Sequence, residues 1–236
     1  MTALLSVSKL EAFYGVGQIL HGLDLDVARG EQVALVGRNG MGKTTLLRSL
    51  MGLVSDRRGR ILLDGDDITR AKVEAIARAG VALVPEGRGI FGSLSVAENL
   101  VMAARPSVNG RASWNIKRIY DLFPRLHARR TNGGHQLSGG EQQMLSIGRA
   151  LMTNPDLLLV DEATEGLAPL IARDIWQTLD VIRREGVASI VVDKDIRSLS
   201  KIADRIVVLS KGNLVFNDKP SVLAQRPELL ELHLGV

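Results

Sequence analysis

The stretch VALVGRNGMGKTTLL, residues 33–47, constrains the fold more than any other part of the chain. Gly37 is followed by four residues and then by Gly42-Lys43-Thr44. Glycines let a backbone turn tightly enough for its N–H groups to point inward at phosphate oxygens. An apolar strand precedes this loop and a helix is predicted to begin near Gly42, a context that separates a phosphate loop from a chance glycine-rich turn. The stretch therefore predicts a strand, a phosphate-binding loop and a helix in succession.

The side chains of this loop add to what its backbone can bind. Lys43 can reach the terminal phosphates of a nucleotide, and the hydroxyl of Thr44 can ligate magnesium. The helix that begins here contributes the positive end of its dipole. The predicted nucleotide-binding residues of the loop are Gly37, Arg38, Asn39, Gly40, Met41, Gly42, Lys43, Thr44 and Thr45.

Short, continuously apolar segments recur along the chain and predict buried strands. They are residues 32–36, 81–84, 157–160 and 189–192. Between the last two, Ile175, Leu179 and Ile182 share one face of a predicted helix. Apolar strands that alternate with helices indicate an α/β fold with a mostly parallel sheet covered on both sides.

Other regions depart from this alternation. Residues 4–36 alternate apolar and polar side chains between glycines, which predicts strands joined by turns. Residues 60–63 predict a further short strand, and residues 205–209 and 213–216 predict a closing hairpin. From about residue 91 to residue 151 apolar residues recur at helical spacing and strand patterns are lacking.

An acidic pair follows one of the predicted strands. The segment LLLVDEATEG places Asp161 and Glu162 at the end of residues 157–160. An acid at such a strand end suits magnesium, and its neighbour can orient an attacking water. A solvated strand end is the alternative, and the phosphate loop upstream favours the functional interpretation.

The segment QLSGGEQQMLSIGRALM predicts a capped helix with an unusual beginning. Ser138 and Glu141 have the spacing of a capping box, and Ser95 and Glu98 share that spacing without any functional requirement. Gly139-Gly140 distinguishes the first case, because glycine weakens a helix unless a ligand must approach its backbone. The segment predicts a second anion site at a helix N-terminus. One nucleotide has no obvious use for both anion sites of the same chain. We therefore predict that two chains face each other head to tail, so that the Ser-Gly-Gly segment of each closes over the phosphate loop of the other.

Composition narrows the classes of function. The chain has 30 basic and 26 acidic residues, a net charge of +4 and a pI near 9.6. Its basic residues form short clusters, which favours a solvated surface over nucleic-acid binding. The absence of cysteine excludes disulfides and thiolate metal sites. No apolar run approaches the roughly 18 residues that span a bilayer, so we expect a soluble, cytoplasmic chain.

These motifs, in this order, resemble the ATP-binding cassette (ABC) proteins over essentially the whole chain, and LSGGEQQ is the most specific of them. VPEGRGIFGSLSVAENL and DEATEGLAPL are similar to the second ATPase subunit, the F type, of bacterial branched-chain amino acid importers. Importers of amides, urea or aromatic acids have similar sequences at these positions.

The resemblance implies one ABC-type P-loop NTPase domain over residues 1–236. Its nucleotide-binding core, with an N-terminal antiparallel β part, would comprise residues 1–90 and 152–236, and residues 91–151 would form an inserted helical subdomain.

The resemblance also implies cofactors, partners and a location. The cofactors would be ATP and Mg²⁺. The partners would be a second, non-identical ATPase subunit, two transmembrane permease subunits and an extracytoplasmic solute-binding protein, with a homodimer possible in isolation. The chain would lie on the cytoplasmic face of the plasma membrane.

Individual residues take roles from the family by position. Tyr14 would stack on adenine, the alternative being a tyrosine in a turn beside Gly15. Asp161 would support magnesium and Glu162 would be the general base. Glu86 stands where most cassettes have glutamine and could meet magnesium or its water. The residues that would contact the other chain's ATP are Ser138, Gly139, Gly140 and Glu141.

Lys194 is the main departure from the family pattern, along with Ala163 for the usual proline and Ala168 for the usual aspartate. It occupies the position of a histidine that contacts the γ-phosphate and the attacking water. An ammonium can reach a phosphate but cannot relay a proton near neutral pH as imidazole does. We expect ATP binding with hydrolysis that is slower or dependent on the partner chain. The alternative is that Lys194 faces solvent between Asp193 and Asp195.

Three functions compete at this point. The leading hypothesis is an ATP-hydrolysing subunit of a membrane importer, and the second is a hydrolysis-poor, nucleotide-dependent clamp that regulates a partner cassette. The intact Asp161-Glu162 pair argues against the clamp. A chromosome- or repair-type ATPase would need long coiled-coil insertions, and the spacing between Lys43 and Ser138 leaves no room for them.

Overall fold

The computed structural model describes residues 3–106 and 114–234. These residues form two β-sheets and the helices that connect their strands. The strands are β1 Ala3–Tyr14, β2 Gly17–Ala28, β3 Gln32–Val36, β4 Asp56–Leu63, β5 Asp66–Asp67, β6 Val81–Val84, β7 Leu157–Val160, β8 Ala188–Val192, β9 Arg205–Ser210 and β10 Asn213–Asp218. The helices are α1 Lys43–Leu50, α2 Val73–Arg78, α3 Val96–Val101, α4 Ile116–Leu122, α5 Pro124–Ala128, α6 Gly139–Met152, α7 Pro169–Arg184, α8 Ile196–Ile202, α9 Pro220–Leu223 and α10 Pro227–Leu234. A short 3₁₀ helix, Gly134–Gln136, precedes α6.

The larger sheet has the strand order β10-β9-β3-β8-β7-β6. Its pairs are parallel except for the antiparallel hairpin of β9 and β10. Every residue of β3, β7 and β8 is buried, which explains their continuously apolar sequences because a parallel sheet is covered on both faces. The loops that leave the carboxyl ends of these three neighbouring strands consequently meet at one edge.

Alternate residues of the parallel strands enter two separate cores. Val33 and Leu35 of β3 pack with β1, β2 and α1 on one face of the sheet. Ala34 and Val36 pack on the other face with residues of α6, α7 and α8. The antiparallel sheet, in the order β2-β1-β4-β5, covers α1 and the first face. The predicted α/β fold, with an antiparallel N-terminal sheet and a covered, mostly parallel core sheet, is confirmed.

The predicted helical region contains α3 to α6 and no strand among its described residues, which are 91–106 and 114–151. Its one β-type pairing within those ranges is an isolated bridge between Ser95 and Gly133. The helices join the core that α7 and the parallel sheet share. The boundaries of residues 91–151 as a separate subdomain stay a prediction. No helix within the described ranges combines the length and the apolar character needed to cross a membrane.

One strand is longer than its sequence indicated. The prediction placed a strand at residues 60–63, whereas β4 begins at Asp56. The additional residues, DRRG, are polar or glycine and mostly exposed, and they are held by backbone pairing with β1, as in Glu11 with Arg58. Apolar patterning reports burial and not pairing, so it could not reveal this half of the strand.

The turn between β9 and β10 gives a stability prediction. Lys211 and Gly212 both have positive φ, 46° and 73°, as the favoured two-residue hairpin turn requires. A Cβ on Gly212 would lie 2.0 Å from the carbonyl oxygen of Ile19 in β2, and the Gly212 carbonyl accepts a hydrogen bond from the His21 N–H at 3.0 Å. The turn therefore joins the edge hairpin of one sheet to the other sheet.

We expect Gly212→Ala to lower the free energy of unfolding by about 1–3 kcal/mol, because it adds a collision to an unfavourable backbone conformation. Urea denaturation measures the loss. Gly15→Ala is the matched control, since Gly15 has a φ of 58° but nothing within 4 Å of its Cβ position. Equal losses for the two variants would contradict the proposed collision.

Candidate nucleotide site

The phosphate loop lies between β3 and α1 and is shaped by glycines in conformations that other residues rarely adopt. Gly37 has a φ of 153°, and a Cβ there would lie 2.3 Å from the Leu209 carbonyl oxygen. Gly42, the N-terminal cap of α1, has a φ of 102°. The predicted strand, loop and helix are confirmed.

Lys43 reaches back across the mouth of this loop. Its ammonium donates to the carbonyl oxygens of Gly37 at 2.7 Å and Arg38 at 3.0 Å. The side chain is buried, and this burial lowers the pKa of Lys43, opposed by the charge of Asp161. A buried cation held by loop carbonyls can exchange these partners for the oxygens of a phosphate.

Other residues of the loop contact neighbouring elements. Arg38 donates to the carbonyl oxygen of Glu231 in α10 at 3.2 Å. The Met41 carbonyl accepts from the Gly212 N–H at 3.1 Å, which links the loop to the β9–β10 turn. Asn39 and Gly40 are exposed.

Thr44 and Asp161 meet beside the phosphate loop. The Thr44 hydroxyl donates to the Asp161 carboxylate at 3.2 Å, although the two residues are 117 positions apart. Asp161 is 3% exposed, and burial is the main cause that raises its pKa, while the Thr44 hydrogen bond and the charge of Lys43 lower it. A hydroxyl and a carboxylate next to a phosphate loop are the oxygen ligands that magnesium prefers, so these residues fit a phosphate-bound magnesium ion.

Glu162 carries an acceptor that the fold does not use. Its backbone is left-handed, with a φ of 51°, and its buried Oε2 atom has no hydrogen-bond partner. Unsatisfied buried acceptors and unusual backbone conformations concentrate at functional sites. The free oxygen suits a group that must accept a proton during a reaction.

Glu162 belongs to a small group of acids. Carboxylate oxygens of Glu86, Glu162 and Glu165 all lie within 4.8 Å of one another. Glu86 follows β6, is exposed, and its charge also raises the pKa of Asp161. Glu86 is thus close to the predicted catalytic carboxylate, and its contact with magnesium stays a prediction.

Lys194 is bound to a residue that the sequence did not single out. Its ammonium forms an ion pair with Glu165 and lies 4.0 Å from Oε2 of Glu162. The hydrogen bond with Glu165 is the main cause that raises the pKa of Lys194. The side chain is about half exposed to solvent, and its ammonium contacts the acidic group.

The aspartates on either side of Lys194 have separate structural tasks. Asp193 is buried and accepts three hydrogen bonds, from the Thr164 N–H at 2.8 Å, from the Thr164 hydroxyl at 2.8 Å and from the Asp195 N–H at 2.9 Å. Asp195 caps α8 by accepting from the Ser198 N–H. Asp193 therefore ties the loop after β8 to the loop after β7, and no local sequence pattern indicates this link.

The predicted capping box at the start of α6 is confirmed, as is the one at Ser95 and Glu98. The Ser138 hydroxyl accepts from the Glu141 N–H, and the Glu141 carboxylate accepts from the Ser138 N–H and lies 3.8 Å from Arg129. Glu141 is thus already engaged within the chain.

The two glycines after Ser138 have packing reasons as well as the predicted functional one. A Cβ on Gly140 would lie 2.4 Å from the Ile171 side chain of α7, and one on Gly139 would lie 3.1 Å from the Arg88 guanidinium. Close helix packing explains Gly140 without any ligand. Ser138 is exposed, but its N–H and its hydroxyl both donate to the Glu141 carboxylate, so contact with an outside anion would require the hydroxyl to exchange this partner.

Tyr14 ends β1 at the tight connection to β2. Its side chain is 47% exposed, and Gly15 beside it has a φ of 58°. The turn that the alternative interpretation required is therefore present, and the exposed ring leaves stacking on a base available.

Comparison with known proteins gives consistent matches over most of the chain. A family model described as ABC transporter matches residues 20–165. The high-affinity branched-chain amino acid transport ATP-binding protein BraG of Pseudomonas aeruginosa is 40% identical over 232 residues, which cover 98% of this chain and 100% of that protein. The lipopolysaccharide export system ATP-binding protein LptB of Escherichia coli K12 is 31% identical over 235 residues, covering 99% of this chain and 98% of that protein. A solved structure of an ATP binding subunit of an ABC transporter has a TM-score of 0.83 at 26% identity, covering 98% of this chain and 96% of that chain.

We expect Asp193→Ala to lower the free energy of unfolding by about 1.5–3 kcal/mol, because the part-buried N–H groups of two loops would lose a charged acceptor. Thermal and urea denaturation measure the loss. Asp195→Ala is the matched control, and its helix cap should be worth about 1 kcal/mol. A smaller loss for Asp193→Ala than for Asp195→Ala would contradict the structural role given to Asp193.

Proposed function

This chain belongs to the ABC transporter family, and from that premise we propose that it is the ATP-hydrolysing subunit of a bacterial importer of branched-chain amino acids. The family assignment establishes that the chain is an ATPase coupled to transport. The observation that carries this proposal is the convergence of Lys43, the Thr44–Asp161 pair and Glu162 at the carboxyl edge of three adjacent parallel strands. Oε2 of Glu162 has no hydrogen-bond partner there.

We propose the following division of labour at this edge. The N–H groups of the glycine-rich loop and the ammonium of Lys43 would bind the β- and γ-phosphates of ATP. Thr44 and Asp161 would hold magnesium, which when bound neutralises charge on the phosphate oxygens. Tyr14 would stack on the adenine, and Glu86 would contact magnesium or its water.

Glu162 would direct the chemistry. Its free Oε2 would accept a hydrogen bond from a water aligned with the γ-phosphorus, and then the proton of that water as the new P–O bond forms. The bond between the γ-phosphorus and the bridging oxygen breaks, and ADP leaves with its electron pair. Asp161, the residue before Glu162, contacts Thr44 at the end of the phosphate loop, so this part of the chain lies beside the loop.

Each chain would complete a site on another. Ser138 and the backbone of Gly139 and Gly140 would contact the γ-phosphate held by a second ATPase subunit, and the dipole of the 14-residue helix α6 favours an anion there. We propose a non-identical cassette as the natural second subunit, with a homodimer as the state of the isolated chain. Closing and reopening of the pair would drive two membrane permease subunits from the cytoplasmic face.

The proposed solute follows from the sequence identities to transport proteins of named function. The 40% identity to BraG exceeds the 31% identity to LptB, and both alignments span nearly the whole length. This difference supports import of branched-chain amino acids, served by an extracytoplasmic solute-binding protein, over export of a lipid. The permease and the solute-binding protein would recognise the solute. The residues of this chain are therefore also compatible with an amide, urea or an aromatic acid.

One observation favours a second function, the hydrolysis-poor clamp. Lys194 takes the position of the family's histidine, and its ammonium is occupied by Glu165. A chain that binds ATP but transfers no proton through this position could regulate a more active partner cassette. The free acceptor of Glu162 argues for hydrolysis, and the following two variants distinguish the functions.

Glu162→Gln tests the general base. We expect the rate of magnesium-dependent ATP hydrolysis to fall by about 10²–10⁴-fold, because an amide cannot accept the proton, while ATP binding persists. Phosphate release measures turnover, and size-exclusion chromatography with ATP should show an accumulated dimer. Glu228→Gln, an exposed acid of α10, is the control. Rapid turnover by Glu162→Gln would refute this role.

Lys194→His tests the switch position. We expect hydrolysis to rise about two- to tenfold, less than the effect of a full general base because Glu162 already accepts the proton. The gain should be largest near neutral pH, where imidazole exchanges a proton. Native protein that binds ATP without turnover, with no rescue by Lys194→His, would support the clamp instead.

A further inference from the structure

We propose that Glu165 is a positioning residue: it holds the ammonium of Lys194 and thereby keeps the carboxylate of Glu162 free. This inference rests on the proposed role of Glu162 as the general base. Glu165 lies outside the residues predicted to bind nucleotide or to catalyse hydrolysis, and it contacts the unusual lysine.

Two carboxylates compete for one ammonium at this site. Glu165 is in direct contact with Nζ of Lys194, whereas Oε2 of Glu162 lies 4.0 Å away. The side chain of Glu162 is only 14% exposed, while that of Glu165 is 45% exposed. Glu162 is therefore the carboxylate with less access to water, and the lysine is nonetheless bound by the other one.

The unpaired oxygen of Glu162 is the consequence of this preference. A buried carboxylate oxygen normally finds a donor, and an ammonium within about one ångström of hydrogen-bonding distance is the obvious candidate. Oε2 of Glu162 has no donor because Lys194 is retained by Glu165. If Lys194 moved to Glu162, its N–H would occupy the acceptor that the attacking water requires.

The backbone brings Glu165 and Lys194 together by a separate link. Asp193 accepts two hydrogen bonds from Thr164, one from the backbone and one from the hydroxyl. Glu165 and Lys194 are the next residues after Thr164 and Asp193, so this link places their side chains side by side. Asp193 and Glu86 are further acids whose charges act on Lys194, and the carboxylate of Glu86 also belongs to the acidic group.

Zero-length carbodiimide cross-linking of the nucleotide-free protein identifies the carboxylate that the Lys194 amine contacts. It joins an amine only to a carboxylate in contact with it, and peptide mass spectrometry identifies the pair. We expect a cross-link between Lys194 and Glu165 in the native chain. In Glu165→Gln we expect a cross-link between Lys194 and Glu162, the nearest remaining carboxylate.

Kinetics test the consequence of this movement. We expect Glu165→Gln to lower kcat about tenfold, a part of what a positioned general base contributes, with little change in KM for ATP. Removing the lysine should reverse the loss, so that the double variant Glu165→Gln/Lys194→Met turns over like Lys194→Met alone. A merely structural role for Glu165 predicts no such reversal.

Asp24→Asn is the matched control, because it removes the acid of another exposed ion pair, with Lys9 on β1, and should leave kcat unchanged. Absence of the Lys194–Glu162 cross-link in Glu165→Gln would overturn the proposal, as would a loss of kcat that Lys194→Met does not reverse. If Glu162→Gln itself retained turnover, the proposed function would fail, while the cross-links would still report which carboxylate holds Lys194.

Discussion

The parallel pairing of β3, β8 and β7 is the constraint on which the site depends. Leu35 is paired with Val192, and Val160 with Val191, so the three strands end at nearly the same level. The phosphate loop, Asp161-Glu162 and Asp193-Lys194 follow these strands immediately. Burial of apolar side chains on both faces fixes the register, and the register in turn fixes the distances between groups that are more than a hundred residues apart.

Polar groups at this edge stabilise the fold and prepare the chemistry at once. Asp193 is a buried carboxylate, which is tolerable because three donors surround it. The same bonds hold the loop that carries Glu162 and Glu165 against the loop that carries Lys194. Glu162 is the exception, since its oxygen is left without a donor where a satisfied one would be more stable. That cost falls on the group proposed as the general base, for which a free acceptor would have a use.

Sequence patterns predicted the features whose residues are contiguous in the chain and missed the contacts between residues that are far apart in sequence. The bounds of β6 and β7 were predicted correctly because continuous apolar runs report burial directly, and the phosphate loop because its groups lie within nine residues. The polar half of β4 was missed because backbone pairing leaves no apolar pattern. Glu165 and Asp193 were missed because their partners lie 29 residues away on another loop. The packing of Gly140 against the Ile171 side chain of α7 was missed for the same reason, and its predicted contact with a ligand stays a prediction.

A lysine at the position where the family resemblance implies a histidine changes what the surroundings must supply. An imidazole that is neutral for part of the time needs no permanent counter-charge, but an ammonium is charged throughout the physiological range and attracts the nearest acid. In this chain the nearest acids include the proposed base itself, so a lysine without a competing partner would disable the group it faces. Glu165 offers that partner on the more exposed side of the site, where pairing costs less desolvation than it would at Glu162. Lys194 and Glu165 are therefore best understood as one unit, and a change at either position alters the charge that Glu162 experiences.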